Sequence, residues 1–319
     1  MVDQQKQRPL AGRVALVAGA TRGAGRGIAS MLGEAGATVY CSGRSARGRP
    51  AGKRSEVIEE TAERVSALGG RGIAVRTDHS VEAEVIALCE RIQSESGRLD
   101  VLVNDIWGCE ELIAFGKPFW QQPPAAFRTM FERALFTHVI TSHHAVPLML
   151  AAQHDAPGLI VEITDGDSFG YRGSLDYDMI KMSVIRLAFG MSRDLKETHI
   201  TALALTPGFL RSEEMLDHFG VSESNWRDGA AKDPHFIASE TPSYVGRAVA
   251  ALAADPDVAR KRGQVWSSWQ LAREYGFTDL DGSQPHWGEY FARAFGCAYP
   301  APDYRSWYGG PAEIALAQK

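Results

Sequence analysis

The sequence has few cysteines and no long apolar run, and each absence excludes a class of protein. Only four of its 319 residues are cysteine, and no two form a Cys-x-x-Cys pair, so we expect neither a disulfide framework nor a metal centre. No segment approaches the ~18 unbroken apolar residues that a membrane-spanning helix needs. The first ten residues are polar and lack the apolar core of a secretion signal. These absences predict a soluble, unprocessed, cytoplasmic protein without a metal ion.

The sequence also lacks a large excess of either charge. It has 34 Lys and Arg residues against 39 Asp and Glu residues, which gives a formal net charge of −5. That balance provides no electrostatic reason to expect nucleic acid or an anionic membrane as a partner. With 45% hydrophobic residues, a chain of this length can form one large domain with additions, or two small domains.

Short β-rich runs alternate with longer helical runs along the first two thirds of the chain. Strands are predicted at 13–18, 37–42, 72–77, 99–103, 158–164 and 200–205. Helices are predicted at 24–35, 55–68, 81–96, 124–153 and 175–198. Apolar strands between amphipathic helices are typical of a parallel sheet that helices cover on both faces. We therefore predict an α/β fold with about seven parallel strands, of which these patterns locate six.

A glycine-rich segment, residues 19–27, joins the first predicted strand to the first predicted helix. Its sequence is Gly-Ala-Thr-Arg-Gly-Ala-Gly-Arg-Gly. Glycines allow a tight turn and a close approach of the backbone to a pyrophosphate, which the helix N-terminus attracts. In this context the segment predicts a Rossmann-type, doubly wound dinucleotide-binding fold, and a purely structural glycine turn is the alternative. The residues predicted to contact the cofactor here are Gly19, Thr21, Arg22, Gly23, Ala24 and Gly25.

The end of the second predicted strand lacks an acid. An NAD site of this type places one there to accept a hydrogen bond from the ribose 2′-hydroxyl, but residues 40–45 are Tyr-Cys-Ser-Gly-Arg-Ser. Arg44 and Arg22 can instead converge on a 2′-phosphate, because guanidinium matches phosphate geometry, and Ser45 can add a hydroxyl. The segment therefore favours NADP(H) as the cofactor. The alternative is that Arg44 belongs to a solvated basic loop at 44–54.

Further motifs lie at the spacing of a known family. Tyr177 and Lys181 form a Tyr-x-x-x-Lys motif, and Pro207-Gly208 follows the sixth predicted strand. With Asp78 after the third strand and the glycine turn, these motifs resemble the short-chain dehydrogenase/reductase family. The resemblance implies a homodimer or homotetramer, because two long helices usually pair between subunits in that family. The further cofactor contacts that the resemblance implies are Asp78, His79, Asn104, Asp105, Ile106, Tyr177, Lys181, Pro207, Gly208, Leu210 and Ser212.

Several positions depart from the family's pattern. Ala18 replaces the Thr of the glycine motif, and Trp107 stands where a Gly normally ends the Asn-Asn-Ala-Gly motif. Asp165 aligns with the catalytic Ser, and Ala134 aligns with the Asn that completes the catalytic tetrad. His138 lies one helical turn beyond Ala134, and we expect it to be an ordinary helix residue. The resemblance is therefore to a divergent branch of the family.

The Tyr-x-x-x-Lys motif suggests proton transfer. Tyr177 and Lys181 are one helical turn apart and share a face. A free phenol titrates near 10, and a neighbouring ammonium lowers that pKa. Tyr177 can then exchange a proton with a substrate oxygen while a hydride moves to or from the nicotinamide. The resemblance implies that Lys181 also holds the nicotinamide ribose. The alternative is an ordinary surface pair.

Asp165 has four possible roles. An ionised Asp cannot donate a hydrogen bond, and it raises the pKa of Tyr177 and repels an alkoxide. A protonated Asp165 could donate. It could also bind a hydroxyl or amine of the substrate, or Ser168 could supply the missing hydroxyl from a shifted loop. We expect Asp165 to line the site and contact the substrate; a turn-forming Asp before Gly166 is the alternative.

Residues 1–265 are expected to form the cofactor domain, with the aromatic-rich residues 266–319 as an extension packed on it. Its aromatic side chains are expected to cover the substrate cleft, to pack across a subunit boundary, or to form a small extra core layer. Residues 209–219, after the Pro-Gly turn, are placed to act as a lid. The aromatic residues concerned are Trp266, Trp269, Tyr275, Phe277, Trp287, Tyr290, Phe291, Tyr299, Tyr304, Trp307 and Tyr308.

Together these features predict an NADP(H)-dependent oxidoreductase that interconverts a carbonyl and a secondary alcohol of a small molecule. A non-redox enzyme on the same fold, such as a dehydratase, epimerase or cyclase, is the first alternative and would use Tyr177 and Asp165 for acid/base chemistry. A catalytically silent NADP-binding regulator is the second. The retention of both Tyr177 and Lys181 argues against a silent protein.

Overall fold

The computed structural model describes residues 8–151, 156–168 and 170–296. Seven strands form one parallel sheet in the order β3-β2-β1-β4-β5-β6-β7. The strands are β1 (Val14–Ala18), β2 (Thr38–Gly43), β3 (Arg71–Arg76), β4 (Val101–Asn104), β5 (Gly158–Ile163), β6 (Ile200–Thr206) and β7 (Val265–Ser267). This confirms the predicted Rossmann-type α/β fold with seven parallel strands.

Ten helices connect and cover the strands of this described part. They are α1 (Gly23–Glu34), α2 (Ile58–Ala67), α3 (Glu82–Ser96), α4 (Pro124–Phe131), α5 (Thr137–Ala151), α6 (Leu175–Asp194), α7 (Glu213–Phe219), α8 (Pro242–Ala254), α9 (Ser268–Tyr275) and α10 (Trp287–Phe295). No helix of the described residues is both long enough and apolar enough to cross a membrane.

Helices cover both faces of the sheet, which explains the apolar strands. One core places Ile28 of α1 and Val249 of α8 against the central strands. The other places Leu88 of α3 and Leu148 of α5 against the opposite face. Every residue of β1 is buried as a result. The strand order reverses at β1, and a crevice opens there beyond the carboxyl ends of β1 and β4.

The chain interrupts the long helix that the sequence predicts at 124–153. A π-helical turn, Glu132–Phe136, separates α4 from α5 and contains the buried Ala134. No Pro or Gly marks this turn in the sequence, so helical periodicity gave no sign of it. Residues 152–153 of the predicted helix lie outside the described residues.

The last part of the described chain joins the main fold closely. β7 pairs with β6 and crosses the expected boundary between residues 265 and 266, so the sheet itself continues into the expected extension. The Trp287 ring at the start of α10 lies 6.0 Å from the Phe209 ring. The division into two parts stays a prediction. The expected roles of Tyr299, Tyr304, Trp307 and Tyr308 concern positions outside the described residues.

Candidate active site

A cavity of about 860 Å³ lies beyond the carboxyl ends of the strands, at the reversal of strand order. Most of the residues that the sequence singled out line it. They are Gly19, Thr21, Arg22, Gly23, Ala24, Arg44, Ser45, Asp78, His79, Asp105, Ile106, Asp165, Tyr177, Lys181, Pro207, Gly208, Leu210 and Ser212. Two others, Gly25 and Asn104, are not part of this lining: Gly25 packs against Gly19, and Asn104 donates to the buried Ser142 and Glu162.

The glycine turn brings the start of α1 against the end of β4. Gly19 has φ +95°, and a Cβ on it would lie 2.2 Å from the main-chain oxygen of Asp105. A Cβ on Gly25 would lie 2.3 Å from the main-chain oxygen of Gly19. Only glycine permits this approach. The turn therefore has the close packing that a pyrophosphate cradle requires.

The N-terminus of α1 already binds an anionic group of the protein. The main-chain N–H of Gly23 donates to the Glu213 carboxylate at 2.8 Å. Arg26, on the same helix, lies 3.4 Å from the other oxygen of that carboxylate. A carboxylate here shows that the helix N-terminus accepts negative charge, as a phosphate site must. The sequence gave no indication of Glu213, which is 190 residues away from Gly23.

Two guanidinium groups converge on one short loop at the edge of the cavity. Arg22 lies 3.5 Å from the Glu110 carboxylate. A terminal nitrogen of Arg44 lies close to Gly108, since a Cβ built on that glycine would be 2.6 Å from it. The Ser45 hydroxyl instead accepts a hydrogen bond from the Ala51 N–H at 3.0 Å, which shapes the basic loop. Arg22 and Arg44 thus both line the cavity beside the glycine turn.

A buried polar network lies beneath the cavity floor. Asn104 donates to the Glu162 carboxylate at 2.6 Å. The two ring nitrogens of His138 face acceptors, Glu162 at 2.6 Å and the Ile106 main-chain oxygen at 3.0 Å. Burial opposes charge on His138, but the Glu162 carboxylate outweighs it and raises the pKa of the imidazole. His138 is therefore a buried, ion-paired residue, a role that the sequence did not reveal.

The His79 ring joins β2 to α5. Thr141 donates to the Thr137 main-chain oxygen at 2.7 Å, so it accepts from His79 Nδ1 at 2.8 Å. The other ring nitrogen of His79 then accepts from the Ser42 hydroxyl at 2.9 Å. Burial, followed by the nearby charge of His138, lowers the pKa of His79 to about 3. Although His79 lines the cavity, its ring is occupied by structural hydrogen bonds.

Tyr177 lies in the cavity between two aromatic residues. Its ring makes edge contacts with Trp107 at 5.4 Å and Phe115 at 5.6 Å between centroids. Its hydroxyl donates to the Asp165 carboxylate at 2.7 Å. Burial and then Asp165 raise the pKa of Tyr177 well above its ordinary value. The pKa of Tyr177 thus departs in the direction opposite to the one expected from Lys181 alone, because burial and the carboxylate favour the protonated phenol.

Lys181 lies over the face of Trp107. Its ammonium nitrogen is 4.3 Å from the centroid of that ring and 5.7 Å from the centroid of the Tyr177 ring. Burial lowers the pKa of Lys181, while the carboxylates of Asp165 and Asp105 oppose that effect. The Trp107 indole therefore lines this wall of the cavity and makes a cation–π contact with Lys181.

Arg172 holds the loop that carries Asp165. Its guanidinium donates to the main-chain oxygen of Asp165 and to that of Ser168 at 3.1 Å, and it pairs with Asp178 at 2.8 Å. Asp165 itself is exposed to the cavity. Ser168 is buried, its hydroxyl accepts from the Gly170 N–H at 3.2 Å, and it does not line the cavity. A shifted loop that presents Ser168 is therefore not the arrangement found.

Asp105 gives a prediction for the pH dependence of stability. Burial raises its pKa to about 7, against opposing effects of Lys181 and the Gly25 N–H. The pKa of Asp in an unfolded chain is about 3.9, so the folded state binds the Asp105 proton more tightly than the unfolded state does. The folded state therefore loses stability as the pH rises from about 3.9 to about 7. We expect Asp105→Asn, which restores the family's residue type, to raise the melting temperature by about 3–6 °C near pH 8. Thermal unfolding near pH 5 should show a much smaller gain; equal gains at both pH values would contradict this assignment.

The far wall of the cavity comes from the segment after β6 and from α10. Phe209, Met215 and Trp287 line this side. Phe209 packs on Phe236 at 5.3 Å between ring centroids, which anchors the segment in a small aromatic core. The described start of the extension therefore contributes directly to the cavity. This position is consistent with the expected covering role of the aromatic residues.

This chain is similar to known proteins in sequence and in fold. Residues 13–219 match the family model for short chain dehydrogenases. The mouse (Mus musculus) protein "Dehydrogenase/reductase SDR family member 1" is 35% identical over 279 residues, 86% of this chain and 85% of its own. The Escherichia coli 7alpha-hydroxysteroid dehydrogenase is 26% identical over 249 residues, 74% of this chain and 91% of its own.

A solved structure shows the same architecture. The Pseudomonas aeruginosa RhlG/NADP active-site complex has a TM-score of 0.65 and 26% identity, and the match covers 83% of this chain and 97% of that chain. The match in sequence spans most of the sheet and both motifs of the cavity. The chain belongs to the short-chain dehydrogenase/reductase family of oxidoreductases.

Proposed function

We propose that this protein is an NADP(H)-dependent oxidoreductase that interconverts a carbonyl and a secondary alcohol. The observation that carries the proposal is the position of the Tyr177 hydroxyl and the Lys181 ammonium. Both line the same cavity as the glycine turn at the start of α1. A substrate in this cavity can therefore lie beside a bound nicotinamide and within reach of a proton donor.

Arg22, Arg44 and the glycine turn support NADP(H) as the cofactor. The glycine cradle and the anion-binding N-terminus of α1 fit a pyrophosphate. The guanidinium groups of Arg22 and Arg44 line the cavity where no acid follows β2, and they match the geometry of a 2′-phosphate. The Pseudomonas aeruginosa relative is a complex with NADP. The nicotinamide would supply or accept the hydride when it is bound.

The remaining chemistry belongs to the chain's own side chains. Tyr177 would pass its proton to the substrate oxygen as that oxygen gains charge. Lys181 would hold the nicotinamide ribose and offset negative charge near Tyr177. Asp165 orients the phenol through the 2.7 Å hydrogen bond. The aromatic walls from Trp107, Phe115 and Trp287 would exclude water and favour a substrate with a large apolar part.

The choice of cofactor can be tested at Arg44. We expect Arg44→Asp to weaken NADPH binding about 10- to 100-fold, because a charge-assisted contact with the 2′-phosphate becomes a repulsion. NADH binding should change little, so the ratio of the two dissociation constants is the measurement. Arg49→Asp, in the same basic loop but outside the cavity lining, is the matched control. Equal effects of the two substitutions would favour a solvated basic loop.

Glu213 gives a second prediction about cofactor binding. Its carboxylate bonds to the Gly23 N–H at 2.8 Å, so it competes with a phosphate for the N-terminus of α1. We expect Glu213→Gln to tighten NADPH binding about 3- to 10-fold, since an amide competes less well than a carboxylate. Glu214→Gln removes the adjacent charge without touching that N–H and should change the dissociation constant less. A looser complex with Glu213→Gln would show that the carboxylate supports cofactor binding.

One observation favours a second candidate function. Tyr177 is held protonated by Asp165, and this pair can perform acid/base chemistry without a hydride. A non-redox enzyme, such as a dehydratase, epimerase or cyclase, would use the pair in that way and keep the dinucleotide as a structural component. Transfer of a labelled hydride separates the two functions.

A further inference from the structure

A carboxylate lines this cavity at the position that aligns with the family's catalytic Ser. Asp165 is exposed to the cavity and accepts the Tyr177 hydroxyl at 2.7 Å. The Arg172 guanidinium binds main-chain oxygens of the same loop and the Asp178 carboxylate. The Lys181 ammonium lies over the Trp107 ring. The hydrogen bond from a neutral phenol leaves the negative charge of Asp165 at the place where a substrate's reacting atoms would lie.

This charge favours one kind of reacting group over another. A ketone that accepts a hydride develops negative charge on its oxygen, and a carboxylate repels that charge and cannot donate a hydrogen bond to it. A protonated imine carries positive charge on its nitrogen, and a carboxylate attracts it. The electrostatics of Asp165 therefore match a substrate that is cationic before hydride transfer and basic after it.

We propose that this cavity binds protonated cyclic imines and their product amines through Asp165, and reduces the C=N bond. This inference rests on the proposed hydride transfer and extends it from carbonyl to iminium substrates. The iminium carbon gains a hydride from the reduced nicotinamide and forms a C–H bond, while the C=N π electrons become the nitrogen lone pair. One positive charge leaves the substrate nitrogen and appears on the oxidised nicotinamide ring. No proton has to come from the protein.

The state of Tyr177 agrees with that balance. Reduction of a ketone would require the phenol to give up its proton beside the Asp165 carboxylate, which places two negative charges together. Reduction of an iminium ion leaves the phenol protonated and its hydrogen bond to Asp165 intact. The substrate nitrogen already carries its proton. Tyr177 then acts as a positioning residue that holds the carboxylate.

The walls of the cavity suit an aromatic amine. Trp107 and Phe115 flank Tyr177, and Phe209 and Trp287 line the opposite side. Aromatic faces attract organic cations, and the Trp107 face already carries the Lys181 ammonium at 4.3 Å. A bicyclic, aryl-fused imine would place its nitrogen at Asp165 and its ring against these side chains. This is the substrate class that the cavity fits.

Binding provides a test that does not depend on turnover. We would titrate the protein and its NADP⁺ complex with 1,2,3,4-tetrahydroisoquinoline, a cation at neutral pH, and with isochroman, its neutral oxygen analogue, by calorimetry. We expect the amine to bind at least about 10-fold more tightly than the ether, and Asp165→Asn to remove that preference. Glu214→Gln removes an equal charge elsewhere in the cavity lining and should retain the preference for the amine over the ether. Equal binding of the two compounds by the unaltered protein would overturn the proposal.

Turnover separates this inference from the proposed function. With NADPH, 3,4-dihydroisoquinoline at mildly acidic pH is compared with 1-tetralone, a ketone of similar shape. We expect Asp165→Asn to lower kcat/KM for the imine at least about 10-fold more than it lowers kcat/KM for the ketone. Tyr177→Phe should lower kcat/KM much more for the ketone than for the imine, because only the ketone needs the phenol's proton. Reduction of the ketone without the imine overturns the iminium inference alone; bound NADPH with reduction of neither compound overturns the proposed function as well.

Discussion

Replacement of Tyr177 by Phe is expected to lower kcat for carbonyl reduction by about 10²–10⁴-fold. The substitution removes only the hydroxyl that donates to Asp165, and the ring contacts with Trp107 and Phe115 can remain. The dissociation constant for NADPH should therefore change much less than kcat. Steady-state kinetics and a fluorescence titration with NADPH give the two quantities on the same preparation.

Tyr171→Phe is the matched control for that experiment. Tyr171 lies six residues upstream, is 67% exposed, and is not part of the cavity lining. We expect its kinetic constants to equal those of the unaltered protein. If Tyr177→Phe also retained full carbonyl turnover, the proton would have to come from another group, and the assigned role of Tyr177 would be incorrect.

Gly19→Ala has the second large expected effect. The Ala Cβ would lie 2.2 Å from the Asp105 main-chain oxygen, and the backbone would keep φ near +95°. Strain and displacement together should lower the free energy of unfolding by about 2–4 kcal/mol. Movement of the turn away from β4 should also weaken NADPH binding at least about 10-fold. Urea unfolding and an NADPH titration measure these effects.

Gly52→Ala separates the two causes. Gly52 has φ +94°, nearly the value of Gly19, but a Cβ there would have no atom within 4 Å. It shares the backbone strain without the clash, so we expect a loss of about 1 kcal/mol and no change in NADPH binding. A similar loss of stability and unchanged NADPH binding for both variants would show that the close approach at Gly19 does not shape the cofactor cradle.

The sequence was sufficient to predict most of the sheet. The strands β1 and β6 are buried along their whole length because helices cover both faces, and their mainly apolar residues reflect this burial. The position of β7 was not predicted, since its three residues are too few to produce a pattern. The π-helical turn at Glu132–Phe136 also leaves no local signature, because it contains no Pro or Gly.

In the site, too, residues whose role depends on local backbone geometry could be predicted, and residues whose role depends on distant contacts could not. Gly19 was predictable because no other residue type fits a positive φ beside another strand. Glu213 and Arg172 were not, since their roles depend on contacts that only the folded chain creates. The Glu213 carboxylate reaches Gly23 across 190 residues of sequence. Arg172 was not recognised because its guanidinium binds main-chain oxygens, which any residue of the loop supplies.

The direction of the Tyr177 pKa shift illustrates what local reasoning can miss. The Tyr-x-x-x-Lys spacing indicates a lowered pKa, because it considers only the ammonium one turn away. In the fold, Lys181 is 5.7 Å from the Tyr177 ring centroid, while the Asp165 oxygen is 2.7 Å from the hydroxyl. Burial, followed by the Asp165 carboxylate, raises the pKa of Tyr177. The alignment of Asp165 with the family's Ser was the one sequence feature that pointed to this outcome.

Hydride transfer itself is the central claim, and a labelled cofactor tests it most directly. NADPH carrying deuterium at the transferable C4 position is incubated with the protein and a ketone that it consumes, and the product is analysed by mass spectrometry and NMR. We expect one deuterium on the carbon that was the carbonyl, together with one equivalent of NADP⁺. A product formed without deuterium, with the labelled NADPH unchanged, would contradict an oxidoreductase and identify the non-redox alternative.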